Sequence, residues 1–367
     1  MKKIGIVTFH HAENYGAILQ AIALQNTLKI LFPKYTVGVV DYKSTAIVKA
    51  YQIFVGFRME TKLWKKFLKL LVLLVQLPFI ISRKNNFRSY LRKEIFLISR
   101  NDINNETILV CGSDQIWNPE ITNGLDMHYF GRFDQFSGTA ISYAASDGGK
   151  LAECAEAEVR ENIKNLRAIS VREESMVLYL QGITNKQINL VLDPVFLPEA
   201  TYWMNKATSK IKPGYILVYR LEDNPTIIEE AYEISKTTGL RIIEITNSLP
   251  IRSLCKTKHQ LFIGVSPKDF ISFFKNAEIV LTNSFHGTAF SIIFEKRFFA
   301  YQIKNRSQRI TTLLNMLGIS DRYVLSAKEV FETELDYSNI VLELKRLREI
   351  SIGFLSSSIE MATSGGM

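Results

Sequence analysis

Cysteine is scarce in this chain. Its three residues, Cys111, Cys154 and Cys255, are odd in number and widely separated, which excludes a disulfide framework and a tetrahedral metal cluster. A reducing, cytoplasmic setting is the expectation. No signal peptide is expected either: Met1-Lys2-Lys3 precedes only the short apolar run Ile4 to Phe9, with no small-residue cleavage site, so the start reads better as a first strand. Nor is there a long uncharged hydrophobic run. Leu63 to Ile81 comes nearest, but Lys65, Lys66 and Lys69 interrupt its start and Pro78 its end, leaving less than the roughly 20 residues of a spanning helix. It reads either as a helix buried between domains or in a homo-oligomer contact, or as a basic amphipathic helix lying on the inner membrane surface. Zinc-finger, KH and RRM signatures are missing, and Lys and Arg are scattered, which argues against nucleic acid. The net charge of +9 and pI near 9.2 therefore point to anionic substrates or a phospholipid surface.

What is present is an α/β pattern that runs twice. Lys3 to Phe9 reads as a strand, His10 to Gly16 as a polar turn, Ala17 to Leu31 as a helix and Thr36 to Val40 as the returning parallel strand. Gly16 alone is not a G-x-G-x-x-G fingerprint, so nothing indicates NAD. After a polar linker, Lys206 to Gly214, the pattern restarts with strands at Tyr215 to Tyr219, Arg241 to Ile245 and Leu261 to Val265. At 367 residues the chain exceeds one ordinary core. The expected fold is α/β, with two Rossmann-like domains, 1–205 and 206–335, facing a cleft. Residues 336–367 are expected to form a C-terminal helix, frayed from Ser356.

The stretch Glu278 to Tyr301 is the strongest site candidate. Ile279 to Thr282 reads as a strand and Thr288 to Phe294 as a buried helix, with Asn283-Ser284-Phe285-His286-Gly287 between them. A turn leaving the carboxyl end of a strand and opening a helix gathers free N–H groups and the positive end of the helix dipole, a setting for an anion. His286 is the one histidine at such a position, and Gly287 lets the backbone approach a ligand. A second turn, Cys111 to Pro119, follows the strand Thr107 to Val110; there Asp114 and Asn118 can grip sugar hydroxyls while Trp117 offers an apolar face. The alternative for Asp114 is a turn cap. Arg172, ending the strand around Ile169 to Val171, offers a planar fork for a carboxylate or phosphate; its alternative is an ion pair with Glu173 or Glu174. Lys304, Arg306 and Arg309 lie one loop beyond the strand that follows His286.

Five motifs then occur in order: Asn14 to Gln20, Gly112 to Asn118, Ser170 to Glu173, Leu192-Asp193-Pro194 and Thr282 to Gly287. Together they resemble the polysaccharide pyruvyl transferase family over roughly Ile4 to Leu325. The resemblance implies a GT-B-like fold and transfer of a pyruvyl group from phosphoenolpyruvate to two hydroxyls of a sugar in a cell-surface polysaccharide or its lipid-linked precursor, forming a cyclic ketal without a metal or organic cofactor. For that chemistry the candidates, from their positions at strand ends, are His286 as general acid or phosphate clamp, Asp114 or Asp193 as base, and Arg172 on the donor. Asn14, Gly16, Ser113, Trp117, Asn118, Asn283, Ser284 and Gly287, all within these motifs, are expected in the substrate site, with the acceptor on the first domain and the donor on the second. Members often carry Arg-Leu where this chain has Ser284-Phe285, which leaves Arg306 or Arg309 to supply the missing cation. Two alternatives stay open: a GT-B glycosyltransferase using a nucleotide sugar, with Glu295 on the ribose, and a non-catalytic member marked by Ser284.

Overall fold

The computed structural model describes residues 2–50, 63–134, 136–208, 211–247, 258–303 and 308–364. Short apolar runs buried on both faces form parallel strands. β1 (Lys3–Val7), β2 (Thr36–Val40), β3 (Leu97–Ile98), β4 (Thr107–Cys111) and β5 (Ala140–Ser142) make a sheet of order β3-β2-β1-β4-β5. β6 (Ile169–Val171) and β7 (Ile188–Leu190) pair beside it, tied by single bridges such as Ala145 to Val171. The second sheet holds β8 (Tyr215–Tyr219), β9 (Arg241–Thr246), β10 (Gln260–Ile263), β11 (Ile279–Thr282), β12 (Arg297–Tyr301) and β13 (Tyr323–Val324), in the order β10-β9-β8-β11-β12-β13. The α/β class and the doubled pattern match the sequence expectation. In each sheet the strand order reverses at one place, between β1 and β4 and between β8 and β11, and ligands of open α/β sheets bind at such switch points.

The helix Tyr15–Leu31 is apolar around most of its circumference and is buried from Tyr15 through Gln25, as a helix covered on several sides must be. Its Tyr15 ring stacks on Phe270 at 4.4 Å, and the Tyr15 hydroxyl donates to the Val265 carbonyl at 2.9 Å. One hydrophobic cluster therefore runs from Ile18, Leu19 and Ile22 of the first half into Phe270, Phe274 and Phe290 of the second.

Two expectations are corrected. The C-terminal helix does not fray at Ser356: it runs from Tyr337 to Ser364, because Leu355 and Ile359 continue its apolar stripe into the core of the first sheet. The other is the helix after β11, which begins at Phe285 rather than Thr288, since the Ser284 hydroxyl caps it by accepting from the Gly287 N–H at 3.3 Å. His286 thus stands in the first helical turn.

Candidate functional site

Four loops at the carboxyl ends of β1, β4, β8 and β11 converge on a cavity of about 390 Å³. Its wall includes Phe9, Ala12, Asn14, Gly16, Asp114, Gln115 and Glu120 from the first half. Tyr219, Leu221, Ser284, Phe285, His286 and Arg309 complete it from the second.

The β4 loop is held in an unusual shape. Gly112 has φ 142° and a side chain there would strike the Tyr143 carbonyl oxygen, so only glycine fits. Asp114 takes a left-handed φ of 72°, which costs about 1–2 kcal/mol for a non-glycine residue. A buried ring of bonds restrains the turn: Thr8 Oγ1 donates to the Ser113 carbonyl at 2.9 Å, Gln20 Nε2 donates to Thr8 Oγ1 at 2.8 Å, and Ser113 N–H donates to Gln20 Oε1 at 3.2 Å. Ser113 Oγ lies 2.9 Å from the Ala144 carbonyl and 3.2 Å from Asp193 Oδ2. The Asp114 carboxylate accepts from the Gln115 N–H at 2.8 Å, the turn-capping role, and still borders the cavity.

On the facing side, Thr282 Oγ1 donates to the Tyr219 carbonyl at 2.7 Å and accepts from the Ser284 N–H at 3.1 Å. Asn283 accepts from the Leu221 N–H and donates to the Glu222 carbonyl, each at 2.8 Å, which ties the β8 and β11 loops together. A side chain at Gly287 would meet Thr282 Oγ1 at 2.3 Å, so its glycine serves packing inside the second half.

His286 reaches across into the first half. A Cβ at Gly16 would lie 2.0 Å from His286 Nδ1, so the imidazole occupies the space that glycine leaves. Its Nε2 is buried, makes no hydrogen bond, and stands 3.9 Å from Asp193 Oδ2. Burial, reinforced by the Arg172 charge and then that of Arg309, against the opposing pull of Asp114, pushes its pKa down to about 3. The imidazole is therefore neutral, which revises the expectation of a near-neutral acid.

Arg172 is buried behind the cavity wall rather than in it. Its Nη1 donates to Asp193, Nη2 lies 3.8 Å from Asp114 Oδ1, and Nε lies 3.5 Å from Glu173 Oε1. Its guanidinium covers the Phe285 ring at 4.9 Å. The ion-pair alternative therefore holds in part, with Asp193 as the main partner. Asp193 in turn caps the turn Pro194–Phe196 by accepting from Val195 N–H at 3.1 Å; bonded to Arg172, Ser113 and Val195, it positions rather than acts as a free base. Glu173, fully buried and accepting from Ser146 Oγ, is pushed up to about 7 by burial despite Arg172.

Arg309 enters the wall from the first turn of the helix Gln308–Met316. Its guanidinium lies 5.9 Å over the Phe285 ring, and the Gln115 amide, with its oxygen assigned toward Arg309 to satisfy both groups, sits 2.7 and 2.9 Å from the guanidinium nitrogens. Arg306 lies outside the described residues.

The expected residues thus sort by depth. Asn14, Gly16, Asp114, Ser284, His286 and Arg309 line the cavity, while Ser113, Arg172, Asp193, Asn283 and Gly287 support it from behind. Asn14 also caps its helix, accepting from Gly16 and Ala17 N–H groups at 2.9 and 3.2 Å. Trp117 is corrected to a core residue: it is fully buried, its indole stacks on Phe130 at 4.8 Å, and Nε1 donates to the Tyr129 carbonyl at 3.0 Å, leaving no face for a sugar. Asn118 is likewise a buried helix cap, accepting from Glu120 N–H at 2.9 Å. Glu295 follows the far end of the Phe285–Ile293 helix and is exposed, away from the cavity. Gln20, Gln115 and Phe285 had no assigned role in the sequence pattern, because their importance lies in contacts between distant segments.

Comparison with solved structures places the architecture. A UDP-N-acetylglucosamine 2-epimerase from Rickettsia bellii matches with a TM-score of 0.53 at 14% identity, over 100% of this chain and 96% of that one. A UDP-GlcNAc 2-epimerase from Neisseria meningitidis matches at 0.49 and 10%, over 99% of each chain, and UGT89C1 of Arabidopsis thaliana, solved with quercetin, at 0.48 and 10%, again over 99% of each. The first of these, with its TM-score above 0.5, speaks at such identity to the fold alone, which is GT-B-like. No curated protein matches the chain. Residues 14–305 do match the sequence pattern of the polysaccharide pyruvyl transferases, and the chain belongs to that family.

Proposed function

We propose that this protein transfers the pyruvyl group of phosphoenolpyruvate to two hydroxyls of a sugar, in a polysaccharide or its lipid-linked precursor. The observation that carries the proposal is the buried, unpaired Nε2 of His286, set in one cavity with the Asp114 carboxylate and the Arg309 guanidinium. Phosphoenolpyruvate brings a carboxylate and a phosphate, and Arg309 answers one of them from the wall. Its place there supports the idea that it supplies the cation absent at Ser284. The negative charge of the donor opposes Arg172 and Arg309, so donor binding raises the pKa of His286 and loads it with a proton.

The chemistry then follows. Asp114 takes the proton of the first acceptor hydroxyl as its oxygen bonds to the central carbon of the donor, and His286 delivers its proton to the methylene carbon, which becomes a methyl group. The second hydroxyl then bonds to the same carbon as the bond to phosphate breaks; inorganic phosphate leaves with that hydroxyl's proton, and the ketal is closed. Arg172 and Asp193 hold Asp114 and Phe285 in place.

Calorimetric titration with phosphoenolpyruvate and with nucleotide sugars tests the donor, and phosphate release in the presence of candidate sugars tests the turnover. Phosphoenolpyruvate should bind with proton uptake, read from buffers of different ionisation enthalpy. His286→Ala should cut turnover by about 100-fold or more, and Arg309→Gln should weaken donor binding by about 10–100-fold. Binding of a nucleotide sugar in place of phosphoenolpyruvate would overturn the proposal.

A further inference from the structure

The helix Leu63–Glu94 shows solvent one continuous face with two characters. Exposed positions recur at helical spacing from Leu70 to Lys93. Up to residue 81 that face is apolar: Leu70, Leu71, Leu74, Val75 and Ile81 are 38, 44, 56, 53 and 47% exposed. Beyond it the same face carries Arg88, Arg92 and Lys93, all exposed. The opposite side is fixed to the body by buried Phe87 and Tyr90. Polar bonds hold it to both halves: Arg83 Nε donates to Glu13 at 3.0 Å and Nη1 to the Asn247 carbonyl at 2.8 Å, while Asn86 donates to the Gly264 carbonyl at 3.1 Å. Glu13 stands between Ala12 and Asn14 of the cavity wall.

We propose that this face docks on an anionic phospholipid surface, the apolar part entering the headgroup boundary and the three cations meeting lipid phosphates. No helix among the described residues is long and apolar enough to cross a membrane, so the contact is interfacial. The net charge of +9 favours the same occupant. A second copy of the chain fits less well. Antiparallel pairing lays Arg88, Arg92 and Lys93 over the partner's leucines without a counter-charge, and parallel pairing sets cation against cation. Docked in this way, the helix that bonds Glu13 lies on the membrane and brings the cavity wall beside it near a surface where a lipid-borne acceptor resides; that last point alone rests on the proposed pyruvyl transfer.

The test is co-sedimentation of the full chain with phosphatidylglycerol–phosphatidylcholine vesicles and with pure phosphatidylcholine vesicles, at low and high salt. It reads no catalysis, so its failure leaves the donor chemistry untouched. Binding should be confined to the anionic vesicles and fall steeply with salt. Replacing Arg88, Arg92 and Lys93 by Gln should weaken it by about 100-fold. Replacing Leu71, Leu74 and Val75 by Gln should weaken it by at least about 10-fold, with near-ultraviolet circular dichroism showing that the fold persists. Absence of vesicle binding by the unsubstituted chain, or binding that neither triple variant changes, overturns the proposal. So does a concentration-dependent dimer in sedimentation velocity that the apolar variant abolishes.

Discussion

Replacing His286 by Gln converts a buried titrating group into a neutral one of similar shape, and the consequence is read in stability against pH. The unfolded chain binds a proton at this histidine with the ordinary value of 6.5, whereas in the folded protein that value is pushed down to about 3. Between those limits the unfolded state holds more protons, so stability falls as pH falls through 6.5. At pH 7.5 the effect is negligible; at pH 5 the folded state is disfavoured by about 2 kcal/mol relative to a chain without the titrating group. His10 and His11 are lowered in the same direction by burial, so the total acid sensitivity of the protein exceeds this share. Subtracting the urea-unfolding free energies of His286→Gln from those of the unsubstituted protein isolates it, because any constant cost of the substitution cancels. The difference should shift by about 2 kcal/mol in favour of the variant between pH 7.5 and pH 5. A difference that stays flat over that range would show that folding does not suppress protonation of His286, and the account of the neutral imidazole would fail.

Glu173 predicts the opposite slope. Its carboxyl is raised from 4.5 to about 7, so its folded form is favoured at low pH and loses stability as pH rises; relative to Glu173→Gln, the unsubstituted protein should lose about 2–3 kcal/mol between pH 5 and 8 in the same urea experiment. Gly16→Ala places a methyl group where His286 Nδ1 sits, and should cost about 1–3 kcal/mol. Most of that cost should vanish when the change is combined with His286→Ala, a coupling that a double-mutant cycle measures. Trp117→Ala should destabilise by about 3–5 kcal/mol, while Trp117→Phe should leave acceptor KM unchanged because the indole does not border the cavity.

The strands and the doubled α/β pattern were legible because buried parallel strands write short apolar runs such as Ile279 to Thr282. The positions of Asn14, Asp114 and His286 were legible for a related reason: each follows a strand or opens a helix, and such junctions carry ligand sites. What the one-dimensional pattern hides is depth. Trp117 and Arg172 both sit just past strand ends, yet one is walled in by Phe130 and the other by Asp193 and Phe285. Nor does local sequence show that Gly16 and His286, 270 positions apart, share one space, or that Leu355 and Ile359 return to the first sheet. These depend on how the halves meet, which the sequence specifies only through many contacts at once.

The seating of His286 against Gly16 has a consequence for how the two halves move. The imidazole crosses from one half and fills a notch in the other, so any widening of the cleft withdraws it from its socket and lets water reach it. Hydration would carry its pKa back toward 6.5, and the ring would gain a proton in mildly acidic solution. The protonation of this single side chain, followed by magnetic resonance of its ring nitrogens, therefore acts as a gauge of interdomain separation: closed molecules report a bare imidazole and opened ones an imidazolium.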